Sequence, residues 1–205
     1  MTSGPVYKVW TDPSKKVQSI PIHKCGTSYV EKHAKQMNWK EDWLSYDNDV
    51  YRFVILRDPF ERYLTAFVED MYDVIYFRPW LKEELLHTFK KGNFLIQFLL
   101  ALDIYKLSWH TITQYSMTRS LPEQNTVYFK LGPELGTQLN QWLNSLGIDN
   151  TFDNQKIYER NKKDCIIYNC LKTYFDDPLN VSDKDKILNY LKDDYSLINS
   201  VKFYE

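Results

Sequence analysis

The chain has 205 residues, 43% of them hydrophobic and 26% charged, which is the mixture of an ordinary globular protein long enough to bury a sizeable core. That balance argues against disorder, and no apolar run is long enough to span a bilayer: the longest, Phe94 to Leu102, is broken by Gln97. A net charge of −1 supplies no global field for nucleic acid or an anionic membrane surface, leaving only local basic clusters such as Lys15-Lys16 and Arg160 to Lys163 as anion contacts.

In chain order, Val17 to Ile22 alternates and then turns apolar, the pattern of a strand that ends at a glycine-containing loop, His23 to Thr27. Ser28 to Met37 has helical composition. Tyr51 to Leu56 reads as a buried strand and stops at Asp58-Pro59, where proline ends a ladder but suits the first turn of a helix, predicted over Phe60 to Tyr72. Strand, helix and strand make a crossover long enough for a parallel pair, so both strands leave the sheet at the same edge. Open α/β sheets bind ligands at that edge, and the His23 to Thr27 loop and Arg57 both emerge there.

Trp80 to Phe89 and Asn93 to Leu107 read as helices separated at Gly92-Asn93, and Thr126 to Leu131 as a third strand. Leu135, Leu139, Trp142, Leu143 and Leu146 form a helical stripe, with Gly147 where a left-handed terminator belongs. A last helix is predicted from an N-cap at Ser182, burying Ile187, Leu188 and Leu191. No repeat or linker divides the chain, so one domain over residues 1–205 is expected. The 16% aromatic content, with 16 tyrosines, is read as rings filling the core and hydroxyls at its margin.

Two segments carry the chemistry. His23-Lys24-Cys25-Gly26-Thr27-Ser28 places a lysine, a glycine and two hydroxyls between a strand and a helix N-terminus, a way of gathering amide donors and positive charge around a phosphate. It is not a Walker A sequence, because Lys24 precedes Gly26. The second segment, Arg57 to Phe67, puts Arg57 at a strand end, where its guanidinium can fork onto a phosphate, with Thr65 adding a hydroxyl from the helix. Asp58, Glu61 and Arg62 suit a helix cap and ion-pair cluster as well as they suit a ligand site. Cys25, Cys165 and Cys170 lack CxxC spacing and have few histidines nearby, so no metal site is expected.

HKCGTS and RDPFERYLTAF together resemble the 5'-phosphosulfate loop and the 3'-phosphate motif of sulfotransferases that use 3'-phosphoadenosine 5'-phosphosulfate (PAPS), above all the carbohydrate branch with its RDPxERxxSxF pattern. Further stretches resemble that family in the same order: His110 to Ser116, Tyr128 to Leu146, and Arg160 to Asp164, the last similar to its RNxS turn. Thr65 stands where serine is usual, Thr111 where tryptophan is usual, Thr113 where proline is usual, and His23 where the loop normally carries proline.

The resemblance implies a three-layer, P-loop-like sulfotransferase fold with a mainly parallel central sheet flanked by helices. It assigns the donor to Lys24, Cys25, Gly26, Thr27, Ser28 and Tyr29, to Arg57 and Thr65, and to Arg160 and Lys162. Of these, Lys24, Gly26, Thr27 and Ser28 hold the 5' end, Arg57 and Thr65 the 3'-phosphate, and Cys25 has no catalytic role. It also implies in-line transfer of a sulfuryl group to a hydroxyl of a carbohydrate or small-molecule acceptor, with 3'-phosphoadenosine 5'-phosphate (PAP) released and Lys24 neutralising the leaving charge.

For the base, His110 is first among His23, His33, His87 and His110, His33 second, and Glu31 or Glu69 are substitutes. Trp109 and Tyr115 are candidates to stack on adenine or a sugar, and Trp142 on its stripe is a core residue. Acceptor selectivity is expected from Tyr72 to Lys91 and Ser108 to Gln124. Two other readings are a module that binds PAP or PAPS without turnover and a P-loop-type small-molecule kinase. Cytoplasmic residence is expected from the lack of a leader or anchor pattern.

Overall fold

The computed structural model describes residues 8–77, 112–149, 152–153 and 166–205, with the backbone alone for 70–77 and 166–167. The helices expected at Trp80 to Phe89 and Asn93 to Leu107 lie outside the described residues. Contacts divide the chain into two compact units: Met1–Arg57 with Gln114–Glu159 and Leu197–Glu205, and Asp58–Thr113 with Arg160–Ser196.

The first unit is an α/β structure on a five-stranded sheet. Strands β1 (Lys8–Thr11) and β2 (Val17–Ile20) pair antiparallel. The turn between them is organised by buried Asp12, whose carboxylate accepts the N–H groups of Ser14 at 2.8 Å and Val17 at 2.6 Å and the hydroxyl of Ser14. Pro21 has no N–H to give a ladder, so β2 stops at Ile20 instead of running to Ile22. Strand β3 (Lys40–Trp43) pairs antiparallel with β1, while β4 (Tyr51–Leu56) runs parallel to β2 and β5 (Thr126–Lys130) parallel to β4.

The order is therefore β3-β1-β2-β4-β5, a mixed sheet. A mainly parallel sheet was the expectation, and the parallel part is β2, β4 and β5. The difference comes from β1 and β3, which a short turn and an exposed, polar Lys-Glu-Asp-Trp strand add on one side. At the other side, Phe203 forms a parallel bridge with Tyr128, and the Tyr204 N–H reaches the Tyr128 carbonyl at 2.9 Å. The Gln138 amide donates to the Tyr204 carbonyl at 3.2 Å, and the Tyr204 ring lies 5.3 Å from that of Phe129.

The core of this unit centres on Phe53, with the rings of Trp142, Phe129, Trp39 and Phe152 at 5.8, 6.1, 6.4 and 6.5 Å, all edge-on. Trp142 lies on helix α4 (Leu135–Ser145), whose buried stripe includes Leu135, Leu139 and Leu143 as the periodicity predicts. Helices α1 (Thr27–Gln36) and α2 (Pro59–Phe77) follow the two segments singled out above, and α3 (Gln114–Thr118) precedes β5. Helix α4 ends in a Schellman motif: the Ile148 N–H bonds Leu143 O and the Gly147 N–H bonds Asn144 O, each at 3.0 Å. Gly147 has φ of +71° and no described atom within 4 Å of an added Cβ. Gly147→Ala is therefore expected to cost about 1 kcal/mol from backbone strain alone, read from a urea midpoint with unchanged slope.

The second unit packs α2 with α5 (Ile166–Asp176), α6 (Val181–Tyr190) and the start of α7 (Lys192–Ser200). Its core holds Tyr63, Leu64, Phe67, Leu171, Tyr174, Phe175, Ile187 and Leu191, while Leu188 is half-buried. The cap of α6 is Asn180, not Ser182, because a 3₁₀ turn at Pro178–Asn180 leads directly into the helix. Asp177 opens that turn by accepting the Leu179 N–H at 2.9 Å. Among the described residues, no helix is long and apolar enough to cross a membrane.

Candidate functional site

In the parallel register of β2 and β4, Ile20 stands opposite Val54, so the chain leaves both strands at one sheet edge. At that edge β5 continues into Leu131, whose N–H bonds Leu56 O at 2.8 Å. The loop after β2 turns on a bond from the Cys25 N–H to Ile22 O at 3.0 Å. Lys24 and Gly26 both take left-handed backbone, with φ of +63° and +84°. Gly26 is the N-cap of α1 and its carbonyl accepts the Val30 N–H, so the helix begins on a residue with no capping side chain. With no acidic residue in its first turn, α1 presents its amides and the positive end of its dipole at this loop.

Gly26 is required for two reasons. Its φ disfavours a side chain, and an added Cβ would lie 3.1 Å from Leu131 Cδ1 and 4.0 Å from Ile55 Cδ1. Gly26→Ala is expected to cost more than Gly147→Ala, about 1–2 kcal/mol, since the same strain is joined by a displacement of Leu131. Equal losses in urea melts of the two variants would show that Leu131 yields freely.

Arg57 follows β4 and is half-buried. Its backbone is held by Gln114, the first residue of α3 and fully buried. The Arg57 N–H donates to Gln114 Oε1 at 3.0 Å, and Gln114 Nε2 donates back to Arg57 O at 2.9 Å. The Cys25 thiol donates to the same Oε1 at 3.1 Å. Strand end and loop are thus joined through one amide.

The site residues expected from the sequence are distributed unevenly. Lys24, Gly26 and Thr27 are half-buried and Ser28 is exposed, all at the sheet edge that Arg57 shares. Cys25 and Tyr29 are buried and their polar groups are engaged within the protein, Cys25 with Gln114 and the Tyr29 hydroxyl with Asp153 O at 2.8 Å. Tyr115 is 39% exposed, whereas Trp142 is core. Glu31 is paired with Lys35 at 2.6 Å on the exposed face of α1. His110, Arg160 and Lys162 lie outside the described residues, as do His87 and Trp109.

Thr65 belongs to the second unit, where its hydroxyl donates to Glu61 O one turn back, at 2.8 Å. Beside it, Asp58 caps α2 by accepting the Glu61 N–H at 2.8 Å, Glu61 accepts the Tyr168 hydroxyl at 2.7 Å, and buried Arg62 donates to Ile112 O at 2.6 Å. The capping and packing account describes these three residues.

His33 is 1% exposed, with Nε2 3.3 Å from Asp153 Oδ1 and its ring 4.7 Å from Tyr29 and 5.1 Å from Phe152. Asn140 pins this neighbourhood by bonding both the N–H and the carbonyl of Phe152, at 2.9 and 2.7 Å. Burial is the main influence on His33 and lowers its pKa below 6.5, against the pull of Asp153. Burial, with Asp153 second, pushes the Tyr29 phenol up. The unfolded chain therefore takes up a proton at His33 that the native state refuses, and stability falls as pH drops from about 7 through 6.5 toward the native value. His33→Leu is expected to flatten that part of the stability curve, and an unchanged slope in urea melts between about pH 7 and 5.5 would sink the assignment.

Gln114, Asn140 and Arg52 are not apparent from the sequence as organising residues. Gln114 lies within the His110 to Ser116 stretch, but its partners are far away in the chain. The fold and this site together define an α/β chain that brings a lysine- and glycine-bearing loop, a helix start and an arginine to neighbouring parallel strand ends. Comparison with protein-family models, with curated proteins and with solved structures found no match.

Proposed function

We propose that this chain is a PAPS-dependent sulfotransferase acting on a hydroxyl of a carbohydrate or small molecule. The observation that carries the reading is the parallel β2–β4 register, which brings the Lys24–Gly26 loop and Arg57 to one edge. There the left-handed loop opens α1 on a bare glycine, an arrangement suited to an anion. In this reading β2, β4 and β5 are the parallel part of the three-layer, P-loop-like sulfotransferase fold.

Lys24, the α1 amides and the hydroxyls of Thr27 and Ser28 bind the 5' phosphosulfate end, and the Arg57 guanidinium binds the 3'-phosphate. The acceptor oxygen forms a bond to sulfur as the bond from sulfur to the bridging phosphate oxygen breaks, and PAP leaves with the charge that Lys24 neutralises. The acceptor proton passes to a base, for which His110 is proposed first and His33, which is buried, second. Thr65, Arg160 and Lys162 enter as donor contacts from the resemblance alone.

The test is transfer from radiolabelled PAPS to a panel of glycans, phenols and small alcohols, with calorimetry of PAP in the absence of magnesium. Labelled product together with PAP binding supports the reading. PAP binding with no product on any acceptor class would favour a module without turnover. Binding of ATP with magnesium in place of PAP would favour a kinase and overturn the proposal.

A further inference from the structure

The bonds made by Gln114 define a role that its helix does not require. Its amide faces both polar groups of the Arg57 peptide, accepting at 3.0 Å and donating at 2.9 Å, as a neighbouring strand's backbone would. The side chain thereby continues the ladder one residue past Leu56, where β4 ends. A primary amide can accept and donate in this way without titrating, and asparagine is one methylene shorter. The second lone pair of the same oxygen takes the Cys25 thiol at 3.1 Å, from the loop between Lys24 and Gly26. Gln114 and Cys25 are buried and Arg57 is half-buried, so the amide of Gln114 has little access to water and loses its partners if these bonds are broken.

We infer that Gln114 is a positioning residue of the donor site: it fixes the backbone that carries Arg57 relative to the loop that carries Lys24, and so couples recognition of the two phosphate-bearing ends of a 3',5'-bisphosphorylated adenosine. The identity of that ligand rests on the sulfotransferase reading. The coupling of loop to strand end does not. Preorganisation of this kind acts on affinity because the ordering of both contacts precedes binding.

Three variants separate the roles. Arg57→Ala should weaken PAP and leave adenosine 5'-phosphate binding nearly unchanged, because it deletes a contact to one end. Gln114→Met, close in size but unable to form any of the three bonds, should weaken both ligands by about tenfold or more in calorimetry. Gln114→Glu adds a pH signature that general destabilisation does not produce. Burial of position 114 pushes an introduced carboxyl up from its ordinary value; in its protonated form it can accept and donate as the amide does, and once ionised it cannot donate to Arg57 O. Its PAP affinity relative to wild type at the same pH should therefore rise as pH is lowered from about 8 toward 5, and a flat ratio over that range would count against the positioning role.

Hydrogen exchange without ligand keeps the inference separable from the ligand's identity. Amides of residues 24–28 and of Arg57 should exchange about tenfold faster or more in Gln114→Met. Unchanged exchange overturns the positioning role whether or not PAP binds, and so does wild-type affinity of Gln114→Met for both nucleotides. Faster exchange in a protein whose wild type binds no PAP retains the role of Gln114 and rejects the PAPS reading. If Gln114→Met does not fold, Cys25→Ala and Cys25→Ser take its place. Loop exchange should then quicken in the first and return toward wild type in the second, and equal behaviour of the two overturns the inference.

Discussion

Lys24→Gly is expected to leave the protein folded and, if the chain is the sulfotransferase proposed above, to slow sulfuryl transfer by about two to three orders of magnitude. Lys24 sits at φ of +63°, a backbone conformation in which a side chain costs about 1 kcal/mol and glycine none. Relief of that strain offsets the extra chain entropy of glycine, so urea melts of the variant should stay within about 1 kcal/mol of wild type. The paired measurements are a melt and a PAPS transfer assay. Near-normal turnover would remove Lys24 from the chemistry, and a large loss of stability would make it a structural residue instead.

The largest stability effect is expected at Arg52, a charged residue with no solvent exposure near the start of the interior strand β4. Its guanidinium serves backbone carbonyls: Ser45 O from Nε at 2.9 Å and from Nη2 at 2.6 Å, Asp47 O at 2.6 Å and Val50 O at 2.9 Å. These bonds tie the segment between β3 and β4 to the strand itself. Arg52→Leu leaves those carbonyls without their donor and should cost about 3–5 kcal/mol in urea unfolding. Arg52→Lys, whose ammonium is a point charge without the planar fork, is not expected to restore more than part of it. A loss below about 1 kcal/mol for the leucine variant would mean that the segment finds other donors.

The same residues show how far the sequence could be read. Gly147 and the stripe from Leu135 to Leu143 were legible because the determinants of a helix and its terminator lie within a few neighbouring positions. The parallel β2–β4 pair and the loop that follows β2 were legible for a related reason: a buried strand, a glycine turn and a helix leave local composition signals. Strand β3 was not, since Lys40 to Trp43 is exposed throughout and carries no alternation of burial. Helix α5 had a readable stripe, with Tyr168, Leu171, Tyr174 and Phe175 buried at helical spacing, but no motif pointed to it. Arg52 was hidden inside an apolar strand, because periodicity treats an arginine as a surface residue and cannot see that loop carbonyls will enclose it.

The candidate site divides in the same way. Lys24, Gly26 and Arg57 declare themselves by residue type and by their positions at strand ends. The amide of Gln114 cannot, because its partners are 57 and 89 residues away and only the folded chain brings them together. His33 shows what residue type leaves out: its type suggests a proton-transfer role, and only the folded chain reveals its burial beside Phe152 and Tyr29.

The two flanks of the sheet have a consequence for how molecules of this protein meet one another. On one flank, β3 offers Lys40, Glu41 and Asp42. Charged side chains on an exposed outer strand disfavour pairing with a further strand. On the other, the rung between Tyr128 and Phe203 and the bonds of Tyr204 occupy part of the backbone that β5 would otherwise offer to a neighbouring chain. Among the described residues, one flank carries charged side chains on its outer strand and the other has part of its backbone already bonded, two features that disfavour the addition of a further strand.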